Sequence, residues 1–208
     1  MKIGGIQKFS LIDYPGKISC VVFTQGCNFR CGYCHNPQLV LPEFFENTID
    51  EKIVFEYLLN RKNKIEGVVI TGGEPTIHND LPGFIKKIKM LGFNVKLDTN
   101  GGNPKMLKIL FEEKLLDFVA MDVKTELENY SKLCGVNINS KAISESISLI
   151  KNSSVERQFR ITLLKGIHDV DQITKIENTF GIKLHLQYFH FTTALLSKKY
   201  NQSNSYQL

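Results

Sequence analysis

The chain has 208 residues, enough for one domain with a full hydrophobic core. Its composition, 42% hydrophobic and 23% charged, excludes a disordered chain, and no run reaches the ~18 apolar residues of a membrane span. The formal charge of +5 comes from basic residues scattered along the chain, without the basic, aromatic-interleaved stripe that binds nucleic acid.

Residues 1–17 read as a lead-in strand that ends in the turn Asp13-Tyr14-Pro15-Gly16. Residues 18–24 form an apolar, β-rich run and are predicted as a buried strand, followed directly by a cysteine loop at 26–37. A helix is predicted over about 50–62, with Ile53, Tyr57 and Leu58 on one face. A second strand, 67–71, runs into Gly72-Gly73-Glu74-Pro75. Leu81, Phe84, Ile85, Ile88 and Leu91 recur at helical spacing, and Gly92 stops that helix. A third strand, 94–99, leads into Asn100-Gly101. Pro104 opens a helix with Met106, Leu107, Leu110 and Phe111 inward. The fourth strand is 117–123, a short helix is placed at 126–134, and another helix surrounds Ile143, Ile147 and Ile150. A fifth strand at 158–164, a helix at 170–180 and a sixth strand at 182–187 follow. The tail, 197–208, is rich in Ser, Asn and Gln and is expected to fray.

Six alternations of strand and helix predict an α/β fold with parallel strands and right-handed crossovers. A full eight-stranded barrel usually needs about 250 residues, so an open six-stranded partial barrel, (β/α)6, is expected, as a single domain over 1–196. The polar and Gly-rich motifs all lie just after strands, where parallel α/β folds carry their sites. They are therefore expected to converge in space.

Cys27, Cys31 and Cys34 lie within eight residues of each other as Cys-x3-Cys-x2-Cys. Five cysteines, an odd number, argue against a disulfide framework, and no apolar signal-peptide segment opens the chain; a cytoplasmic protein is expected. Iron–sulfur clusters take thiolate ligands, and three thiolates on a [4Fe-4S] cluster leave one iron open for an outside chelator. The rival is a zinc site completed by His35 or a distant histidine. Cys20 reads as core, Cys134 as structural, and His78, His168 and His185 as surface or satisfied histidines.

The stretch Gln25-Gly26-Cys27-Asn28-Phe29-Arg30-Cys31-Gly32-Tyr33-Cys34-His35-Asn36-Pro37 closely resembles the cluster loop of radical S-adenosylmethionine activating enzymes. The lead-in Gly-Ile-Gln-Lys-Phe-Ser-Leu-Ile-Asp-Tyr-Pro-Gly-Lys resembles the family that activates anaerobic ribonucleoside-triphosphate reductase. The resemblance implies a cluster that cleaves S-adenosylmethionine reductively, giving a radical that takes hydrogen from a glycine of a partner glycyl-radical enzyme. A flavodoxin- or ferredoxin-type electron donor is implied with it.

The resemblance also implies roles. Gly72, Gly73, Glu74 and Pro75 would hold the cofactor's amino group, and Tyr33 would pack on adenine. Asp98, Thr99 and Asp122 would help bind a monovalent cation beside the cofactor carboxylate, with Asn100 next to them. His190 would lie near the ribose; apart from the resemblance, the Lys124 ammonium is suited to pair with the cofactor carboxylate, and Arg160, inside the barrel, calls for a carboxylate or ribose partner. The segment Gln187-Tyr188-Phe189-His190 departs from the Gln-Gln-Phe-Arg type of that family. Two other functions stay open: activation of pyruvate formate-lyase or another glycyl-radical enzyme, and a non-catalytic cluster or zinc module.

Overall fold

The computed structural model describes residues 1–192 and 195–205. The apolar runs become strands β1 (Ile3–Ser10), β2 (Ser19–Thr24), β3 (Gly67–Gly72), β4 (Asn94–Thr99), β5 (Phe118–Asp122), β6 (Glu156–Leu163) and β7 (Leu184–Tyr188), side by side in that order in one sheet. Strands β2 to β7 pair in parallel, as expected, and β1 adds a seventh, antiparallel strand at the edge beside β2. The short turn after β1 permits only antiparallel pairing, whereas each later pair is joined by a longer crossover. The crossovers include α2 (Glu51–Asn60), α3 (Leu81–Met90), α4 (Pro104–Glu112), α5 (Tyr130–Cys134), α6 (Ser140–Asn152) and α7 (Val170–Phe180); the single turn α1 (Pro37–Val40) precedes α2.

Side chains alternate across the sheet, and registered neighbours in parallel strands share a face. One face, with Val22, Ile70, Leu97, Val119 and Ile161, packs against the helices as the main core. On the other face Val21, Val69, Phe118 and Ala120 join Tyr14 in a smaller apolar cluster. Tyr14 lies edge-on to Phe118, ring centroids 6.0 Å apart, and plugs the sheet near its amino-terminal end. Above this plug the same face turns polar, towards the strand ends that carry the motifs.

One sequence expectation needs correction. In α2 it is Val54 and Leu58 that are buried, while Ile53 is 54% exposed. The Asp50 carboxylate caps Lys52 N at 2.8 Å and fixes where the helix starts, which sets its phase. The described part of the tail touches the domain. Ser197 N donates to Gly32 O at 2.9 Å, Lys165 N donates to Asn204 O at 2.9 Å, and Tyr200 is buried against Tyr33. One aromatic ring outweighs the polar composition around it; residues 206–208 lie outside the described residues. Among the described residues no helix is long and apolar enough to cross a membrane.

Candidate cofactor site

The cysteine loop is fastened, backbone to backbone, to the turn that follows β3. Glu74 N donates to Gly26 O at 2.8 Å, and Gly26 N donates to Leu39 O at 2.8 Å. A Cβ on Gly73 would lie 2.0 Å from Gly26 O, so only glycine lets the two segments meet. A second clamp comes from α5, where Arg30 N donates to Cys134 O at 2.8 Å. The Arg30 guanidinium then folds over its own loop and donates to Cys27 O at 2.6 Å and Phe29 O at 2.8 Å.

Cys27, Cys31 and Cys34 face one cavity of about 230 Å3. Tyr33, Gly72, Gly73, Glu74, Asp98, Thr99, Asn100, Asp122 and Lys124 line it too, so the four strand-end motifs do converge. Three expected residues do not line it. Pro75 is buried at the start of a 3-10 turn, Pro75–Ile77. Arg160 reaches the site through carboxylates: its Nε donates to Asp122 Oδ1 at 2.8 Å and its Nη1 to Asp98 Oδ2 at 3.3 Å. The His190 side chain is exposed, and only its carbonyl is engaged, accepting from His35 Nε2 at 2.7 Å. The His35 ring also stacks on Phe189, centroids 5.2 Å apart.

Glu74 lines the cavity but offers it little. Its carboxylate is 1% exposed and accepts from Thr76 N at 3.1 Å, Thr99 Oγ1 at 2.7 Å and Asn100 N at 2.6 Å. The backbone of Gly72 and Gly73 is therefore what this turn presents to a ligand. Burial pushes Glu74 above the ordinary carboxylate range, and these donors oppose it.

The thiols are unequal. Burial, then the nearby Glu74 carboxylate, pushes Cys27 up to about 12. Burial also raises Cys34. A hydrogen bond from the Cys134 thiol, helped by Lys124, brings Cys31 down to about 7 despite burial. Cys134, taken from sequence as a structural cysteine, is thus a neighbour of the loop; its position depends on how α5 packs, which no local motif announces. Asn100 Nδ2 donates to Asn28 Oδ1 at 2.8 Å and lies 3.8 Å from Cys27 Sγ, which also accepts from Phe29 N at 3.3 Å. Sequence reasoning had nothing to single out Asn28 or Phe29 for this.

Burial disfavours the charge on Asp122, but Lys124 and Arg160 hold its carboxyl down at about 2. Lys124 Nζ lies 3.2 Å from Asp122 Oδ2. His168 is a satisfied histidine: Nδ1 accepts from Leu164 N at 3.0 Å, and Nε2 donates to Lys124 O at 2.9 Å. It fixes the backbone that carries Lys124. Cys20 is fully buried in the core, as expected.

The strand ends of this mostly parallel sheet thus gather three cysteines and a charged wall round one cavity. Residues 21–175 match the model of the radical SAM superfamily. A protein of Methanocaldococcus jannaschii named "Putative glycyl-radical enzyme activating enzyme" is 36% identical over 186 residues, 85% of this chain and 74% of that protein. A second protein of the same organism, also named as a glycyl-radical enzyme activating enzyme, is 32% identical over 177 residues, 83% of this chain and 66% of its own. The pyruvate formate-lyase-activating enzyme of Clostridium pasteurianum is 27% identical over 188 residues, 85% of this chain and 75% of its own. The chain thus spans about two thirds to three quarters of the length of these relatives. Streptococcus suis SuiB bound to S-adenosylmethionine has a TM-score of 0.66 at 20% identity, over 87% of this chain and 43% of that one. The anSMEcpe protein with bound AdoMet has a TM-score of 0.67 at 19% identity, over 88% of this chain and 51% of that one. At these identities the likeness is one of fold.

The chain therefore belongs to the radical SAM superfamily, and within it to the family of radical SAM activating enzymes.

The superfamily implies an iron–sulfur cluster and S-adenosylmethionine, and the donor set fits both. Three thiols from one loop open on one cavity, with N–H donors aimed at Cys27 Sγ. Among the described residues no three His, Cys, Asp or Glu side chains gather round a single point, as a mononuclear ion requires; a cluster places each thiolate on its own iron. Lys124 lines the cavity wall, with its ammonium paired to Asp122. The monovalent cation does not fit. Asp98 and Asp122 already pair with the protein's own cations.

Proposed function

We propose that the chain holds a [4Fe-4S] cluster on Cys27, Cys31 and Cys34, binds S-adenosylmethionine beside it, and installs a glycyl radical on anaerobic ribonucleoside-triphosphate reductase. One observation carries this reading: the three thiols share their cavity with Gly72, Gly73, Asp122 and Lys124. When bound, cluster and cofactor supply one-electron opening of the sulfonium bond and hydrogen abstraction.

The chain's own residues do the rest. Gly72 and Gly73 offer backbone at the cavity wall, and a Cβ on either would collide with the backbone of Thr24 or of Gly26. Lys124, held by Asp122 and by His168 through its carbonyl, presents its ammonium to the cofactor's carboxylate. Arg160 holds Asp98 and Asp122 and acts through them. Tyr33 is buried beside Cys31, and with Tyr200 it keeps water from one side of the loop. A flavodoxin- or ferredoxin-type protein serves as electron donor.

The reductase is favoured by the lead-in segment Gly-Ile-Gln-Lys-Phe-Ser-Leu-Ile-Asp-Tyr-Pro-Gly-Lys. The likeness to the Clostridium pasteurianum enzyme supports a second reading, in which pyruvate formate-lyase is the target. The test is to mix the reconstituted, reduced protein with each purified partner and follow 5′-deoxyadenosine and the glycyl radical by electron paramagnetic resonance. Radical on the reductase is expected; radical on the lyase alone moves the target, and no 5′-deoxyadenosine under any condition refutes the activity. Replacing Cys27, Cys31 or Cys34 with Ala abolishes cleavage, whereas Cys20→Ala and Cys134→Ala retain it.

A further inference from the structure

Lys96 is the residue whose burial the site described so far leaves unexplained. It stands on β4, in register with Val69 and Phe118, and faces the inside of the partial barrel. It is 2% exposed. Its ammonium lies 5.9 Å over the Phe118 ring and pairs with Asp98 Oδ1 above it. A buried ammonium costs several kcal/mol in lost hydration unless it is paired, and an apolar side chain would fill the space without that cost. The charge therefore has to be accounted for by what it does to Asp98.

The carboxylate oxygens above Lys96 can be assigned one by one. Asp98 gives Oδ1 to Lys96 and Oδ2 to Arg160. Asp122 gives Oδ1 to Arg160 and Oδ2 to Lys124. Lys96, Asp98, Arg160, Asp122 and Lys124 thus climb the inner face of β4, β5 and β6 as one ladder of alternating sign. It holds three positive and two negative groups, so it carries one net positive charge before any ligand enters. An alkali ion at Asp98 would compete with Lys96 for the same carboxylate and sit beside Arg160 and Lys124 in a poorly solvated site. Repulsion at such distances is strong in low dielectric.

We propose that Lys96 is a built-in cation. Its ammonium takes, from within the chain, the place at Asp98 that an alkali metal ion would need, and so positions Asp98, and through it Arg160, without any metal ion. The proposal rests on reading the cavity as the S-adenosylmethionine site. Lys96 is a positioning residue, since Asp98 and not Lys96 lines that cavity.

The test compares the full-length protein with Lys96→Met and Lys96→Arg in sodium, potassium, caesium and tetramethylammonium chloride at equal ionic strength. Thermal unfolding of the protein without cofactors is the first readout. The midpoint of the unsubstituted protein and of Lys96→Arg is expected to be the same in all four salts. Lys96→Met, which frees Asp98, is expected to melt higher in one alkali chloride than in tetramethylammonium. Equilibrium binding of S-adenosylmethionine to the reconstituted protein is the second readout. Lys96→Met should lose about tenfold in affinity in tetramethylammonium and regain it in that alkali salt, the size of an ordinary coupling between adjacent sites. An alkali-specific response of the unsubstituted protein overturns the proposal, as does a folded Lys96→Met with none. If Lys96→Met does not fold, the unsubstituted protein and Lys96→Arg decide by the same melting series. Failure of S-adenosylmethionine to bind in every salt would instead strike the proposed function, because the melting series does not use it.

Discussion

The Thr99 hydroxyl, at the end of β4, donates to Glu74 Oε1, just past β3, at 2.7 Å. With Asn100 N on Oε2 at 2.6 Å, this makes Glu74 a strut between two strand ends. Glu74→Ala strands these buried donors and should cost about 3 kcal/mol, the scale of breaking a buried, charge-assisted network. Glu74→Gln keeps one acceptor and should cost less. Denaturant unfolding of the cofactor-free protein measures both; equal midpoints for Ala and Glu would refute the strut.

Gly73→Ala should disrupt cluster incorporation, because its Cβ would meet Gly26 O at 2.0 Å and push the cysteine loop off the β3 turn. Gly83→Ala is the control. Gly83 lies in α3 with nothing near its Cβ, so alanine there should stabilise by up to about 1 kcal/mol. Iron and sulfide per chain after reconstitution, set beside the melting midpoints, separate the two effects.

Asn100→Ala removes a side-chain donor near Cys27 Sγ and the link to Asn28. Donors to cluster sulfurs favour the reduced state, so the variant's reduction potential should be lower, with cluster content unchanged. A potentiometric titration followed by electron paramagnetic resonance checks the direction.

His168 is buried, and burial holds its pKa below the ordinary 6.5. The unfolded chain then binds the proton first, so this residue contributes stability above pH 6.5 that is lost as pH falls through the folded value. His78 is depressed by burial as well and acts in the same direction. His168→Gln should flatten, without abolishing, the decline in unfolding free energy on the acid side of 6.5, leaving the part that belongs to His78. An unchanged slope would show that His168 does not titrate with unfolding.

The parallel order of the strands is legible because β2, β3 and β5 are largely apolar on both faces and β2 to β5 end in chemistry-bearing turns. The same turns place Cys27, Gly72, Asp98 and Asp122 at neighbouring strand ends from the sequence pattern alone. What escaped is what depends on direction or on distant packing. Glu74 turns inward rather than towards a ligand, and the Gly-Gly-Glu-Pro pattern does not encode that. Lys96 lies in a strand where period-two alternation puts it inside, but a lone lysine in an apolar run draws attention only once Asp98 and Arg160 are seen on the same face. His190 was placed by its distance along the chain after the sixth strand, and the chain there turns its carbonyl, not its ring, to the loop.

Tyr200 also bears on how the protein matures. The ring that covers Tyr33 comes from a segment translated long after the cysteines it shelters. At ordinary elongation rates of about 5–20 residues per second, the three thiols wait roughly ten to thirty seconds on the ribosome without that cover. Iron and sulfide delivered during this interval meet an open loop. Delivered later, they would meet a loop already flanked by Ser197 and Tyr200.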